Sequence, residues 1–168
     1  MVVFNKSLKE PVEEKKRIFR KIKLFKDKHY TLAMAKKLTV RHLERCVGCL
    51  NCVMACARER FNKLSIDQAA IAVKAAGQTA YYSIIVCRGC QDPVCLRACP
   101  TGALRKRPGG GVILNKAKCD ACGLCKDACI LGAIKLDQIT GMPIICIHCG
   151  QCVDFCPHGI LVMEEVED

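Results

Sequence analysis

Hydrophobic positions in this chain come in short runs, and almost every run leads into or out of a cysteine cluster. Residues 37–43 alternate apolar and polar before Cys46, and residues 81–86 form a dense β-branched and aromatic run before Cys87. Residues 111–114 and 143–145 stand in the same way before Cys119 and Cys146. Shorter runs follow the clusters at residues 102–104, 132–134 and 159–162. Runs this short, punctuated by Gly and Pro, predict brief strands rather than helices. The turn Pro108-Gly109-Gly110-Gly111 is expected to join two of them as a hairpin. Residues 57–80 form the one long insertion; within it residues 69–73 fit a strand or a helical turn, and periodicity does not decide between them. Residues 1–36 are different in kind. They are Lys-rich, with Ile18, Ile22 and Phe25 at helical spacing, and Pro11, Glu13 and Glu14 suit the start of a short amphipathic helix.

The protein has 168 residues, of which sixteen are cysteines in four quartets. They are Cys46, Cys49, Cys52, Cys56; Cys87, Cys90, Cys95, Cys99; Cys119, Cys122, Cys125, Cys129; and Cys146, Cys149, Cys152, Cys156. Three quartets read C-x-x-C-x-x-C-x-x-x-C; the second widens one gap through Gln91-Asp92-Pro93-Val94. Pro100 and Pro157 follow the second and fourth. Such internal repetition organises everything after residue 45. Soft thiolates at this density select iron–sulfur clusters, zinc or copper(I). Zinc sites usually separate two C-x-x-C knuckles by a long loop, and disulfide frameworks disperse their cysteines. A tight run of four, repeated four times, matches [4Fe–4S] ligation, in which the fourth cysteine of a run can bind the other cluster of a pair. Four such clusters consume all sixteen thiols and leave no iron position open for substrate. Gly48, Gly89, Gly123 and Gly150 sit between ligands, where close backbone N–H groups help to set potentials. Arg88 and Arg97 are candidates to raise the potential of the second site, with a solvated role as the alternative. His148, between Cys146 and Cys149, is either a tuning residue for the fourth site, a partner contact, or a surface loop histidine; the last is the ordinary expectation.

Charge changes the picture once clusters are counted. The formal net charge is +11. Residues 1–45 hold +9 of it and residues 46–168 only +2. With four oxidised clusters at about −2 each, the cysteine-bearing part falls to about −6. An acidic body with a basic arm does not suit a general nucleic-acid binder; it suits protein partners of complementary charge. The opening residues show no apolar secretory run, Lys15-Lys16-Arg17 lacks a twin-arginine pair, and no stretch is long enough to span a bilayer, so a cytoplasmic protein is expected. No P-loop, dinucleotide-binding glycine pattern or nucleophile–base pair is legible, so no catalytic site is expected.

The quartets, together with the stretches "IIVCRGCQDPVCLRACPTGAL", "GGGVILNKAKCDACGLC" and "PIICIHCGQCVDFCPHG", carry a resemblance. The protein resembles four-cluster, ferredoxin-type electron-transfer subunits of anaerobic oxidoreductases. It is most similar to the small iron–sulfur subunit of tungsten-containing aldehyde oxidoreductase complexes. The compact fourth quartet departs from the dimethyl-sulfoxide-reductase branch of the wider group, where a quartet often contains a long insertion, and Ile130 in place of a proline after Cys129 is a smaller departure. The resemblance implies an α+β fold of tandem bacterial ferredoxin-like halves with pseudo-twofold symmetry, over residues 37–168, with residues 1–36 as a basic arm. It implies that the outer quartets pair and the inner quartets pair. One cluster would then be held by Cys46, Cys49, Cys52 and Cys156, and its neighbour by Cys146, Cys149, Cys152 and Cys56. A third would be held by Cys87, Cys90, Cys95 and Cys129, and a fourth by Cys119, Cys122, Cys125 and Cys99. The implied partners are a tungsten or molybdenum catalytic subunit and a flavin- or NAD-binding subunit. A free polyferredoxin, or the iron–sulfur subunit of a formate dehydrogenase, hydrogenase or carbon-monoxide dehydrogenase, is the alternative. The arm is read as a solvated tail, a docking arm for a partner, or a contact with another copy that builds filaments.

Overall fold

The first and last strands of the cysteine-bearing region pair with each other. In the computed structural model, which describes residues 35–77 and 81–166, β1 (Lys36–Val40) lies antiparallel to β8 (Leu161–Glu165), with Leu38 opposite Met163 and Val40 opposite Leu161. The expected amphipathic helix in the arm lies outside the described residues. Three more antiparallel pairs follow. β2 (Ile71–Ala75) pairs with β3 (Tyr82–Val86), β4 (Leu104–Lys106) with β5 (Val112–Leu114), and β6 (Lys135–Leu136) with β7 (Pro143–Ile144). Every sheet among the described residues has two strands. An isolated pair of this size is marginal in water, so each depends on what packs against it.

The runs before the quartets are strands, as the hydrophobic pattern predicts, with small shifts. β1 stops at Val40 because His42 takes a left-handed conformation (φ 50°) that opens a 3-10 turn at Leu43–Arg45. The ambiguous stretch at 69–73 resolves as β2, since Ile71 and Val73 find partners in Val86 and Ile84. The run at 132–134 is not a strand; Ala133 and Ile134 are buried, and β6 begins at Lys135. The 108–111 turn does join β4 to β5. It does so through three glycines of positive φ, and at Gly110 a Cβ would sit 2.3 Å from the Gly89 carbonyl oxygen.

Four helical segments complete the repeat, each starting one residue before the third cysteine of its quartet. They are α1 (Asn51–Phe61), α2 (Val94–Arg97), α3 (Leu124–Asp127) and α4 (Gln151–Asp154). The C-x-x-x-C spacing that ends each quartet equals about one helical turn. In α1 the turn continues to eleven residues, into positions that the cysteine spacing alone places in the insertion. Its buried face is Cys52, Val53, Cys56 and Ala57, its last turn carries Arg58 and Arg60, and Asn62 ends it at φ 53°. The basic last turn favours the helix, because cations suit a helix C-terminus.

Two apolar cores result. The larger gathers Leu38, Val53, Ile71, Val86, Ile144, Ile160 and Leu161 around the first and fourth quartets. The smaller is Leu104, Val112, Ile134 and Ile145, with Cys125 among them. Neighbours Ile144 and Ile145 face different cores, so the strand entering the fourth quartet stitches the two together. Leu38 is 1 % exposed in the larger core. Leu38→Ala should cost about 2–5 kcal/mol, read as a lower midpoint for thermal loss of visible absorbance, while the same change at the 76 %-exposed Leu64 should leave that midpoint unchanged.

Candidate iron–sulfur centres

Each cysteine loop follows the same local logic. The second cysteine of every quartet (Cys49, Cys90, Cys122 and Cys149) is exposed. The third lies in the first turn of a helix, and is buried in α1, α3 and α4. Three thiols of one quartet therefore curl around a centre, and the fourth, one turn further on, faces elsewhere.

Where the fourth thiol goes is visible in two small cavities. One is lined by Cys46, Cys49, Cys52 and, from the far end of the sequence, Cys156. The other is lined by Cys146, Cys149, Cys152 and Cys56, with Arg60 at its wall. For the second and third quartets, the neighbours are read from the repulsion between thiolates. Cys87 faces Cys90 and Cys129, Cys95 faces Cys87, Cys129 and Cys125, and Cys125 faces Cys119 and Cys99. Cys122 stands exposed on the loop between Cys119 and Cys125.

The protonation of these thiols shows what each site lacks without a positive centre. Burial, then repulsion from Cys156, Cys49 and Cys46, pushes Cys52 up to about 11. Burial and the charges of Cys87, Cys129 and Cys125 push Cys95 up to about 11. Burial pushes Cys146 up to about 12, with Cys56, Cys87 and Cys149 adding to it, and Cys152 higher still. Buried thiols crowded together stay protonated unless a cation compensates them. Among the described residues no three His, Cys, Asp or Glu converge tightly enough for a single metal ion. Tetrahedral zinc needs its sulfurs about 2.3 Å from one centre, whereas a four-iron cube carries its thiolates on its outer corners. The donor set fits the cube.

Backbone N–H groups supply part of the compensation. Cys99 and Cys156 lie below the usual thiol range. Slight burial works against this, but hydrogen bonds outweigh it, from Thr101, Leu104 and Ala103 at Cys99 and from Ile160, His158, Leu161 and Gly159 at Cys156. These are the two cysteines followed by proline. Proline has no N–H and bends the backbone, so that the amides after it face the sulfur. Cys56 has no such proline. It takes its N–H from the insertion, where Ala70 donates to its Sγ at 3.4 Å, and Arg60 opposes the upward push of burial. The Arg60 guanidinium is held by the Ile145 carbonyl oxygen.

Of the two readings of Arg88 and Arg97, the structure favours the solvated one. Arg88 and Arg97 are exposed, and Arg97 pairs with Asp92. The guanidinium that favours the Cys87 thiolate is Arg107, anchored on the Lys36 carbonyl oxygen at 2.6 Å. Arg60 and Arg107 were not legible as site residues, because one lies beyond its quartet on a helix and the other in a hairpin turn. His148 is not a surface loop residue: it is 4 % exposed and accepts a hydrogen bond at Nδ1 from the Leu38 N–H, 3.0 Å away.

Comparison with known proteins agrees with the donor set. A 4Fe-4S binding domain model matches residues 43–59, and a 4Fe-4S dicluster domain model matches residues 78–166. The protein is 35 % identical over 111 residues to the B component of the anaerobic dimethyl sulfoxide reductase of Haemophilus influenzae, covering 58 % of this protein and 54 % of that one. It is 32 % identical over 102 residues to the arsenate respiratory reductase iron–sulfur subunit of a Shewanella species, covering 58 % and 44 %. It is 38 % identical over 102 residues to the beta subunit of the NADH-dependent phenylglyoxylate dehydrogenase of Aromatoleum evansii, covering 58 % and 22 %. Each match spans about half the length of the relative, or less. With sixteen cysteines in four quartets and a family model matching more than half of its length, the protein belongs to the 4Fe-4S dicluster domain family.

Proposed function

We propose that this protein is the electron-conducting subunit of an oxidoreductase complex, relaying single electrons between a tungsten or molybdenum catalytic subunit and a flavin- or NAD-linked partner. The observation that carries the proposal is the pair of cavities in which three cysteines of one terminal quartet meet the fourth cysteine of the other. That crossing supports the ligand sets Cys46, Cys49, Cys52, Cys156 and Cys146, Cys149, Cys152, Cys56. Thiolate neighbours support Cys87, Cys90, Cys95, Cys129 and Cys119, Cys122, Cys125, Cys99 for the other two sites. Bound in these sets, the clusters supply one-electron redox chemistry at moderate to low potential.

The polypeptide's own part is order and spacing. Cys152 faces Cys52, Cys146 faces Cys87, and Cys95 faces Cys125. This supports a single file of sites: first quartet, fourth, second, third. Residues 37–168 would form two ferredoxin-like halves, an outer one from the first and fourth quartets and an inner one from the second and third. Relatives named as components of reductases and dehydrogenases support a subunit role over a freely diffusing carrier. The resemblance to tungsten aldehyde oxidoreductase subunits favours tungsten. The basic arm of residues 1–36 has the charge to lie on the acidic body of a partner or of a second copy. Between copies the contact would be heterologous, and such contacts extend into filaments when they do not close.

Purification from the native source should give iron and sulfide for four clusters, tungsten or molybdenum in stoichiometric amount, and a large catalytic subunit by mass spectrometry; a metal-free protein that purifies alone refutes the complex. Cys56→Ser should disturb the electron paramagnetic resonance signal of the site bearing Cys146, Cys149 and Cys152 more than that of the first quartet; disturbance of the first alone refutes the crossing. Deletion of residues 1–36 should shrink particles seen by light scattering at low salt if the arm links copies, and an unchanged size removes that role.

A further inference from the structure

His148 belongs by sequence to the fourth quartet's loop, yet its ring addresses the second. It holds a left-handed backbone (φ 57°), uncommon for a residue with a Cβ, and its side chain is buried. Nδ1 accepts the Leu38 N–H at 3.0 Å. A ring nitrogen that accepts carries no proton, so in the neutral ring the proton is on Nε2. The Leu38 N–H at Nδ1 therefore holds the ring in its neutral form, with the proton on Nε2. That leaves Nε2–H as a donor, and Nε2 is buried without a hydrogen-bond partner among the described residues. A buried donor left without an acceptor is destabilising, so an acceptor outside the polypeptide is the economical explanation.

Two glycines show where that acceptor lies. A Cβ on Gly111 would stand 3.4 Å from His148 Nε2 and 3.7 Å from Cys87 Sγ, so the two atoms flank one small space. A Cβ on Gly89, between Cys87 and Cys90, would stand 3.5 Å from the ring's Cε1. Gly111 is held there by its N–H to the Cys90 carbonyl oxygen at 2.9 Å. The absent side chains keep a lane open between the imidazole and the second quartet's sulfurs. Cys146 of His148's own loop and Cys87 are also near enough to repel each other.

We propose that His148 donates its Nε2–H across the seam between the two halves, to a sulfur of the site that Cys87 helps to hold, and so sets the potential of that cluster rather than of the one its own loop ligates. His148 is a positioning and tuning residue in this role: it stabilises the added negative charge of the reduced state at the junction through which electrons pass between halves. The inference rests on the reading that Cys87, Cys90, Cys95 and Cys129 hold a four-iron cluster.

The test uses the full-length holoprotein, with the potential of each cluster measured by titration monitored by electron paramagnetic resonance, and the Cys87 cluster identified as the one altered by Cys87→Ser. His148→Phe keeps the ring and removes the donor. It should make reduction of the Cys87 cluster about tenfold less favourable, a downward shift of about 59 mV for a one-electron couple, with the other three unmoved. His148→Gln, with an amide N–H near the position of Nε2, should recover part of the shift. Four unmoved potentials, or a shift confined to the cluster of Cys146, overturn the proposal. If the variants fail to load, 15N-histidine in a protein with His29, His42 and His158 changed to Gln gives a second reading. Pulsed resonance should show a ring 15N and an exchangeable proton coupled to the Cys87 cluster, and no coupling there overturns it. Iron and sulfide analysis separates the two failures: a missing second-quartet cluster defeats the underlying reading, whereas four clusters without shift or coupling defeat this inference alone.

Discussion

Sixteen thiols within one small body impose the constraint on which the rest of the structure depends. Buried cysteines that face three others cannot ionise together without a positive centre between them, which is why Cys52, Cys95, Cys146 and Cys152 are held above the ordinary thiol range. The polypeptide around them is correspondingly thin. It consists of two-stranded sheets, short helical turns and two apolar cores, the smaller built on a few aliphatic side chains. Such a polypeptide has little to hold its loops against the repulsion of thiolates, so its folding is expected to depend on metal loading.

Crossing of the fourth cysteine turns four local loops into one molecule. Cys156 reaches the first quartet's cavity only because β8 returns to pair with β1. Cys56 reaches the fourth quartet's cavity because α1 begins one residue before the third cysteine of its own quartet and carries the fourth one turn on. The same helix delivers Arg60 to that cavity and to the Ile145 carbonyl, where the two cores adjoin. The insertion before β3 then has a use: Ala70 supplies the N–H that a proline-terminated quartet draws from its own following turn. The protein thus meets one electrostatic need in two ways, by a Cys-Pro turn at Cys99 and Cys156 and by a remote strand at Cys56.

The junction between the two cores is where these devices concentrate. Ile144 and Ile145 face opposite cores, Arg107 ties the β4–β5 turn to β1, and His148 lies between them with one nitrogen bound to Leu38 and the other without a partner among the described residues. Gly110 and Gly111 belong to the same place. A side chain at Gly110 would meet the Gly89 carbonyl, and one at Gly111 would close the space between His148 and Cys87. What reads as a simple glycine turn is a clearance between two redox sites.

By itself, the sequence determined what is local and repeated. The four quartets, their cofactor, the strands before Cys46, Cys87, Cys119 and Cys146, and the hairpin across residues 108–111 all follow from spacing within a few residues, where covalent connection limits the options. The one-turn spacing of the third and fourth cysteines also contained α1, although ligand spacing masked it. Only the tertiary structure decided which distant groups meet. It buried His148, assigned Arg107 and Arg60 to the sites in place of Arg88 and Arg97, and brought Cys156 beside Cys52. Those outcomes depend on strand pairing between the two ends of the body and on packing across a seam, and no pattern of neighbouring residues encodes a contact made a hundred residues away.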